Sequence, residues 1–61
     1  MILNCAIIDE DPEALALLKH YVEETPSLNL IGAYHNAIEA VDGIHHNHLD
    51  ILFLAIHMQQ I

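Results

Sequence analysis

Sixty-one residues carry nine acidic side chains, one lysine and no arginine, a formal charge of −8; so few cations cannot neutralise phosphates, which argues against binding nucleic acid or anionic membranes by this chain alone. A chain this short holds at most one small domain and buries only about 60% of its unfolded surface, so an apolar content of 54% points to apolar surface that meets another chain. No apolar run approaches the roughly 20 residues of a membrane-spanning helix, no signal-peptide pattern opens the chain, and the lone Cys5 reads as a buried small hydrophobe in a reducing cytosol.

In chain order, residues 2–8 form a nearly continuous apolar run, the pattern of a parallel strand covered on both faces. Asp11-Pro12 starts a helix: Asp11 can cap it, and Pro12 suits the first helical position, where its missing N–H costs nothing. Ala14, Leu17, Leu18, Tyr21 and Val22 recur at helical spacing as the buried stripe, with Glu13, Lys19, His20, Glu23 and Glu24 opposite. Pro26 disfavours helical geometry at Thr25 and ends the element. Residues 28–34 read as a second, more mixed strand, expected at a sheet edge. Asn36 and Glu39 resemble a capping box, and Ala37, Ala40, Val41 and Ile44 give the stripe of a second helix, with Gly43 a weak point inside it. His45-His46-Asn47-His48 closes that helix and forms a loop, and residues 50–56 form the third strand.

The pattern is β-α-β-α-β, whose strand-helix-strand crossovers should be parallel and right-handed. Placing one helix on each face requires the strand order 2-1-3. The first and third strands then end side by side at a topological switch point, where such sheets bind ligands. Asp9, Glu10 and Ala55 are expected to gather there.

The first strand-to-helix turn, Ile8-Asp9-Glu10-Asp11-Pro12, lacks glycine and offers carboxylates, so it is not a loop that cradles a nucleotide phosphate. Clustered carboxylates repel unless a hard cation sits among them, and Mg²⁺ suits oxygen ligands. The alternative is a solvated turn in which Asp11 caps the helix and the other acids face water. The residues leave both open.

The stretch Cys5-Ala6-Ile7-Ile8-Asp9-Glu10-Asp11-Pro12-Glu13-Ala14 resembles the opening of bacterial response-regulator receiver domains (CheY-like), especially those joined to LytTR DNA-binding domains. The resemblance continues through Tyr21-Val22-Glu23-Glu24-Thr25-Pro26-Ser27-Leu28 and Asn36-Ala37-Ile38-Glu39-Ala40 to Asp50-Ile51-Leu52-Phe53-Leu54-Ala55-Ile56-His57-Met58. It covers essentially the whole chain. It implies a truncated flavodoxin-like α/β fold, with residues 1–61 forming the first half of a receiver and the effector domain absent. It also implies that Asp9 and Glu10 match the Mg²⁺-binding acids and that the His57 carbonyl completes the metal site. Ala55 then stands where the family has its phosphate-accepting Asp. Met58 precedes Gln59, where the family usually has Pro.

Ala55 has no oxygen nucleophile, so aspartyl phosphorylation at that position is impossible. The family's fourth and fifth strands, and the Ser or Thr and Lys that read the phosphoryl group, are expected to be missing beyond Ile61. Without the third carboxylate, any Mg²⁺ site at Asp9, Glu10 and His57 should be vestigial, and no cofactor is required. His45, His46 and His48 crowd together and suit Zn²⁺ or Ni²⁺, against the plainer reading of solvated helix-end residues favourable to the helix dipole when protonated. No nucleophile–base pair, phosphate loop or closed pocket points to an enzyme.

Two functions follow. The first is a degenerate, non-phosphorylatable receiver-like module of two-component signalling, cytoplasmic, acting through self-association or another protein such as a sensor kinase. Its third strand would be a bare edge, so a homodimer or larger assembly is expected through Ile51, Phe53 and Ile56, completing the sheet. The alternative is an altered fragment of a phosphorylation-controlled LytTR-type transcriptional regulator.

Overall fold

β1 (Leu3–Ile8), α1 (Pro12–Glu23), β2 (Leu28–Tyr34), α2 (Ala37–His45) and β3 (Ile51–Leu54) follow one another in a computed structural model that describes residues 1–45 and 48–55. β1 lies between β2 and β3, parallel to both, giving the order 2-1-3. This is the α/β arrangement expected of a flavodoxin-like βαβαβ unit. Two strand limits differ from expectation. Ile2 precedes β1 and is exposed, and β3 has four residues rather than seven, with Ile56 outside the described residues.

The helix ends are set by local chemistry. Asp11 accepts the Glu13 N–H at 3.0 Å, with Pro12 in the first turn. At the other end Glu24 N–H bonds back to the His20 carbonyl (3.0 Å) and Thr25 Oγ1 to that of Tyr21 (2.8 Å), and Pro26 follows. For α2, Asn36 accepts the Glu39 N–H at 2.9 Å. The return bond of a capping box is displaced by one residue: Glu39 accepts the His35 N–H at 3.4 Å, not that of Asn36.

Alternation along the strands divides the core between the two faces. On one side Cys5 and Ile7 pack with Leu15 and Val22 of α1, joined by Leu18, Leu28, Leu30, Ala33, Ile51 and Phe53. On the other, Ala6 and Ile8 lie beneath α2, whose Ala40 is buried. A bulge places Ile31 between the pairs Cys5–Leu30 and Ala6–Gly32, so Ala33 continues the α1 face and Tyr34 the α2 face.

The helices are rotated from the expected stripes. Leu15 is buried, whereas Leu17 and Tyr21, expected inside, are 53% and 59% exposed. Val41 of the second stripe is also exposed, and Ala37 with it. Apolar residues occupy more than half of each helix, so the 3.6-residue period admits several faces and packing selects one. Gly43 is also not merely a weak point. A Cβ there would lie 2.5 Å from Tyr34 Cζ, and one on Gly32 would lie 2.6 Å from the same atom. No described residue has a positive φ, so these glycines supply space for the ring rather than backbone freedom.

Candidate functional site

The carboxyl ends of β1 and β3 meet as the strand order requires. Ala55 N–H donates to the Ile8 carbonyl at 3.1 Å, and Asp9 N–H to the Tyr34 carbonyl at 3.0 Å on the other side. Asp9 and Ala55 are thus brought together at the switch point, one beyond each strand. Asp9 is 1% exposed, and its Oδ1 accepts the Asp11 N–H at 3.0 Å. Asp11 in turn caps α1, so the acidic turn orders its own backbone in two steps. Glu10 is exposed.

The chemistry available there is limited. A phosphoacceptor needs an oxygen nucleophile, and Ala55 presents a methyl group. Mg²⁺ prefers near-octahedral oxygen donors. Among the described residues, Asp9 is buried with Oδ1 accepting a backbone N–H, Glu10 is exposed to solvent, and the Ala55 side chain offers no oxygen. Among the described residues no group of three or more His, Cys, Asp and Glu side chains could hold a metal ion. His57 lies outside the described residues, as do His46 and Met58.

A second polar cluster, not anticipated from the sequence, sits at the opposite end of the sheet. Asp50 Oδ2 accepts the Asn4 N–H and Asp50 N–H donates to the Asn4 carbonyl, both at 2.8 Å. Asn4 Nδ2 donates to the His48 carbonyl at 3.1 Å, and Asn29 Nδ2 to Asn4 Oδ1 at 3.0 Å. His48 Nε2 lies 2.9 Å from Asp50 Oδ1. His48, read as a solvated helix-end residue, is exposed yet pairs with Asp50 beyond the helix. The Asn4 hydrogen bond, helped by the His48 hydrogen bond and charge, holds the Asp50 carboxyl below its ordinary range against some desolvation. The only sequence signal was the polar Asn4 within an otherwise apolar strand.

Of the residues expected at an interface, Ile51 and Phe53 are half-buried against the α1-side core, and Ile56 lies outside the described residues. Their neighbours Leu52 and Leu54 are 43% and 55% exposed. An open cleft of about 190 Å³, lined by Leu18, Tyr21, Val22, Thr25, Leu28 and Phe53, separates the end of α1 from β3. Cys5 is fully buried, and burial pushes its thiol pKa up.

Over 59 residues, 97% of this chain, the sequence is 30% identical to the transcriptional regulatory protein BtsR of Escherichia coli (strain K12). The same identity and coverage hold for BtsR of Escherichia coli O6:H1 and of Shigella flexneri. The chain spans 25% of the length of each of these relatives. No family model matches, and no solved structure matches. No described helix is long and apolar enough to cross a membrane.

Proposed function

We propose that this chain is a receiver-like module of two-component signal transduction that takes no phosphoryl group and acts in the cytoplasm through contact with protein. The observation that carries the reading is the hydrogen bond from Ala55 N–H to the Ile8 carbonyl, next to buried Asp9. An aspartate at position 55 would stand at the switch point beside Asp9, the place such sheets use for ligands. With a methyl there, no aspartyl phosphate forms. What is left is a shaped surface, and the module acts by binding a second copy or a signalling partner such as a sensor kinase rather than by catalysis. Asp9 and Glu10, with the His57 carbonyl, form at most a weak Mg²⁺ site in this reading.

A second reading, an altered fragment of a phosphorylation-controlled LytTR-type transcriptional regulator, is favoured by the coverage. The relatives are transcriptional regulatory proteins of which this chain spans 25%.

One experiment tests both. This chain is joined to the remainder of Escherichia coli BtsR, with Ala55 and with Ala55→Asp, and each protein is incubated with a small phosphodonor and Mg²⁺. Intact-mass measurement should find a phosphoryl group on the Ala55→Asp protein only. Uptake by the protein that keeps Ala55 overturns the first reading; no uptake by the Ala55→Asp protein overturns descent from a phosphorylated receiver.

A further inference from the structure

We infer that Asn4, with Asn29 and Asp50 beside it, sets the register of the sheet and so decides which residue of β3 arrives next to Asp9. The three act as positioning residues for the switch point, and they do so under either reading of position 55.

The hydrophobic pattern leaves the register open. Every position from Cys5 to Ile8 and from Ile51 to Ile56 is apolar. A slide of β3 along β1 by two residues would still set apolar side chains against apolar ones, on the same faces. The helices do not prevent it, since both lie over β1 and β2 and neither over β3. Such a slide would move Ala55 roughly 7 Å from its place beside Ile8 and bring a different side chain to Asp9.

Polar groups supply what the apolar pattern lacks. Asn4 and Asn29 carry the only side-chain amides of β1 and β2, and they are register partners. Asp50 immediately precedes Ile51, the partner of Cys5, so it falls level with Asn4. The three form one row across all three strands. Asn4 is its centre: Oδ1 accepts from Asn29 Nδ2 at 3.0 Å and Nδ2 donates to the His48 carbonyl at 3.1 Å. Its main-chain N–H donates to Asp50 Oδ2 and its carbonyl accepts the Asp50 N–H, both at 2.8 Å. The carboxylate stands where a longer β3 would offer a ladder carbonyl.

Either slide breaks this row. One carries the Asp50 carboxylate level with Ala6, which is 0% exposed, and a charge buried without its partners is costly. The other sets Leu52 level with Asn4 and leaves the Asn4 N–H without the carboxylate. In β2, a slide of two residues separates Asn29 from Asn4 in the same way. A single buried Asn fixes the register of coiled coils by this asymmetry.

NMR of the ¹⁵N-labelled 61-residue chain tests this. One set of amide resonances is expected, with NOEs between Ala55 and Ile8 and between Ile51 and Cys5. Asn4→Val removes the amide yet keeps a good strand former. It should stay folded by circular dichroism but show more than one set, with NOEs displaced by two residues. Asp50→Asn keeps an oxygen for the Asn4 N–H and should retain the single set. Ala40→Gly weakens α2 at a buried position away from the row, and it should also retain the single set. Native NOEs and one set in Asn4→Val overturn the inference. So does an unfolded Asn4→Val, which makes the row a source of stability rather than of register, and so does doubling in Ala40→Gly. A native chain without the Ala55–Ile8 NOE overturns it as well. None of these outcomes touches the phosphodonor test of position 55.

Discussion

The ring of Tyr34 occupies the space that a side chain on Gly43 would need, with its Cζ 2.5 Å and its Cε1 2.8 Å from an ideal Cβ at that glycine. Gly32 leaves the same ring room from below, two residues earlier on β2. Two glycines thus leave room for the hydroxyl end of the Tyr34 ring, one on its own strand and one on α2.

Gly43→Ala should therefore destabilise the protein although alanine is the better helix former by about 1 kcal/mol. The displaced ring costs roughly 1–3 kcal/mol, as overpacking does. In a Tyr34→Ala background the sign should reverse, because only the helix propensity remains. Urea denaturation of the four proteins measures this coupling, and additive effects would show that the ring does not restrain α2.

Asp50 links the start of β3 to β1 through Asn4. Its folded-state pKa is depressed, so its contribution is fully present above its ordinary value of 3.8 and is lost as pH falls through the lower folded value. Asp50→Asn should lower the melting temperature at neutral pH, and the deficit should shrink in acid as the wild-type carboxyl takes up its proton. A pH-independent deficit would mean that shape, rather than charge, holds the latch.

Cys5 is fully buried with its pKa raised by desolvation. Its thiol should react with an aromatic disulfide only through opening of the fold, at a rate that rises steeply with urea. Because the folded pKa is raised, the associated stability is present below the ordinary value of 9.0 and is lost as pH climbs through the folded one. Cys5→Ser should cost roughly 1–3 kcal/mol for the buried hydroxyl. Rapid labelling of the folded protein would contradict this burial.

Mg²⁺ should move the amide resonances of residues 9–11 only at millimolar concentration, and Glu10→Gln should abolish the response. Ala55→Asp should tighten binding by restoring an oxygen donor. Resonances that stay fixed throughout would dismiss the residual site, and a micromolar affinity would show that Ala55 is no handicap.

The sequence by itself determined what depends on neighbours a few residues apart. Asp11 with Pro12, Asn36 with Glu39, and Pro26 mark helix ends because capping is local, and the alternation of elements with right-handed crossovers required the order 2-1-3, with Asp9 and Ala55 together. The tertiary structure decided what depends on contact between distant segments. Leu15 rather than Leu17 or Tyr21 faces the core, because a broad apolar stripe has no unique side until the sheet selects one. Gly43 became a seat for Tyr34, and Asp50 found Asn4, 46 residues away in the chain. A hydrogen bond or a ring in a gap leaves no periodic trace in either partner's sequence, so only the folded chain brings it into being.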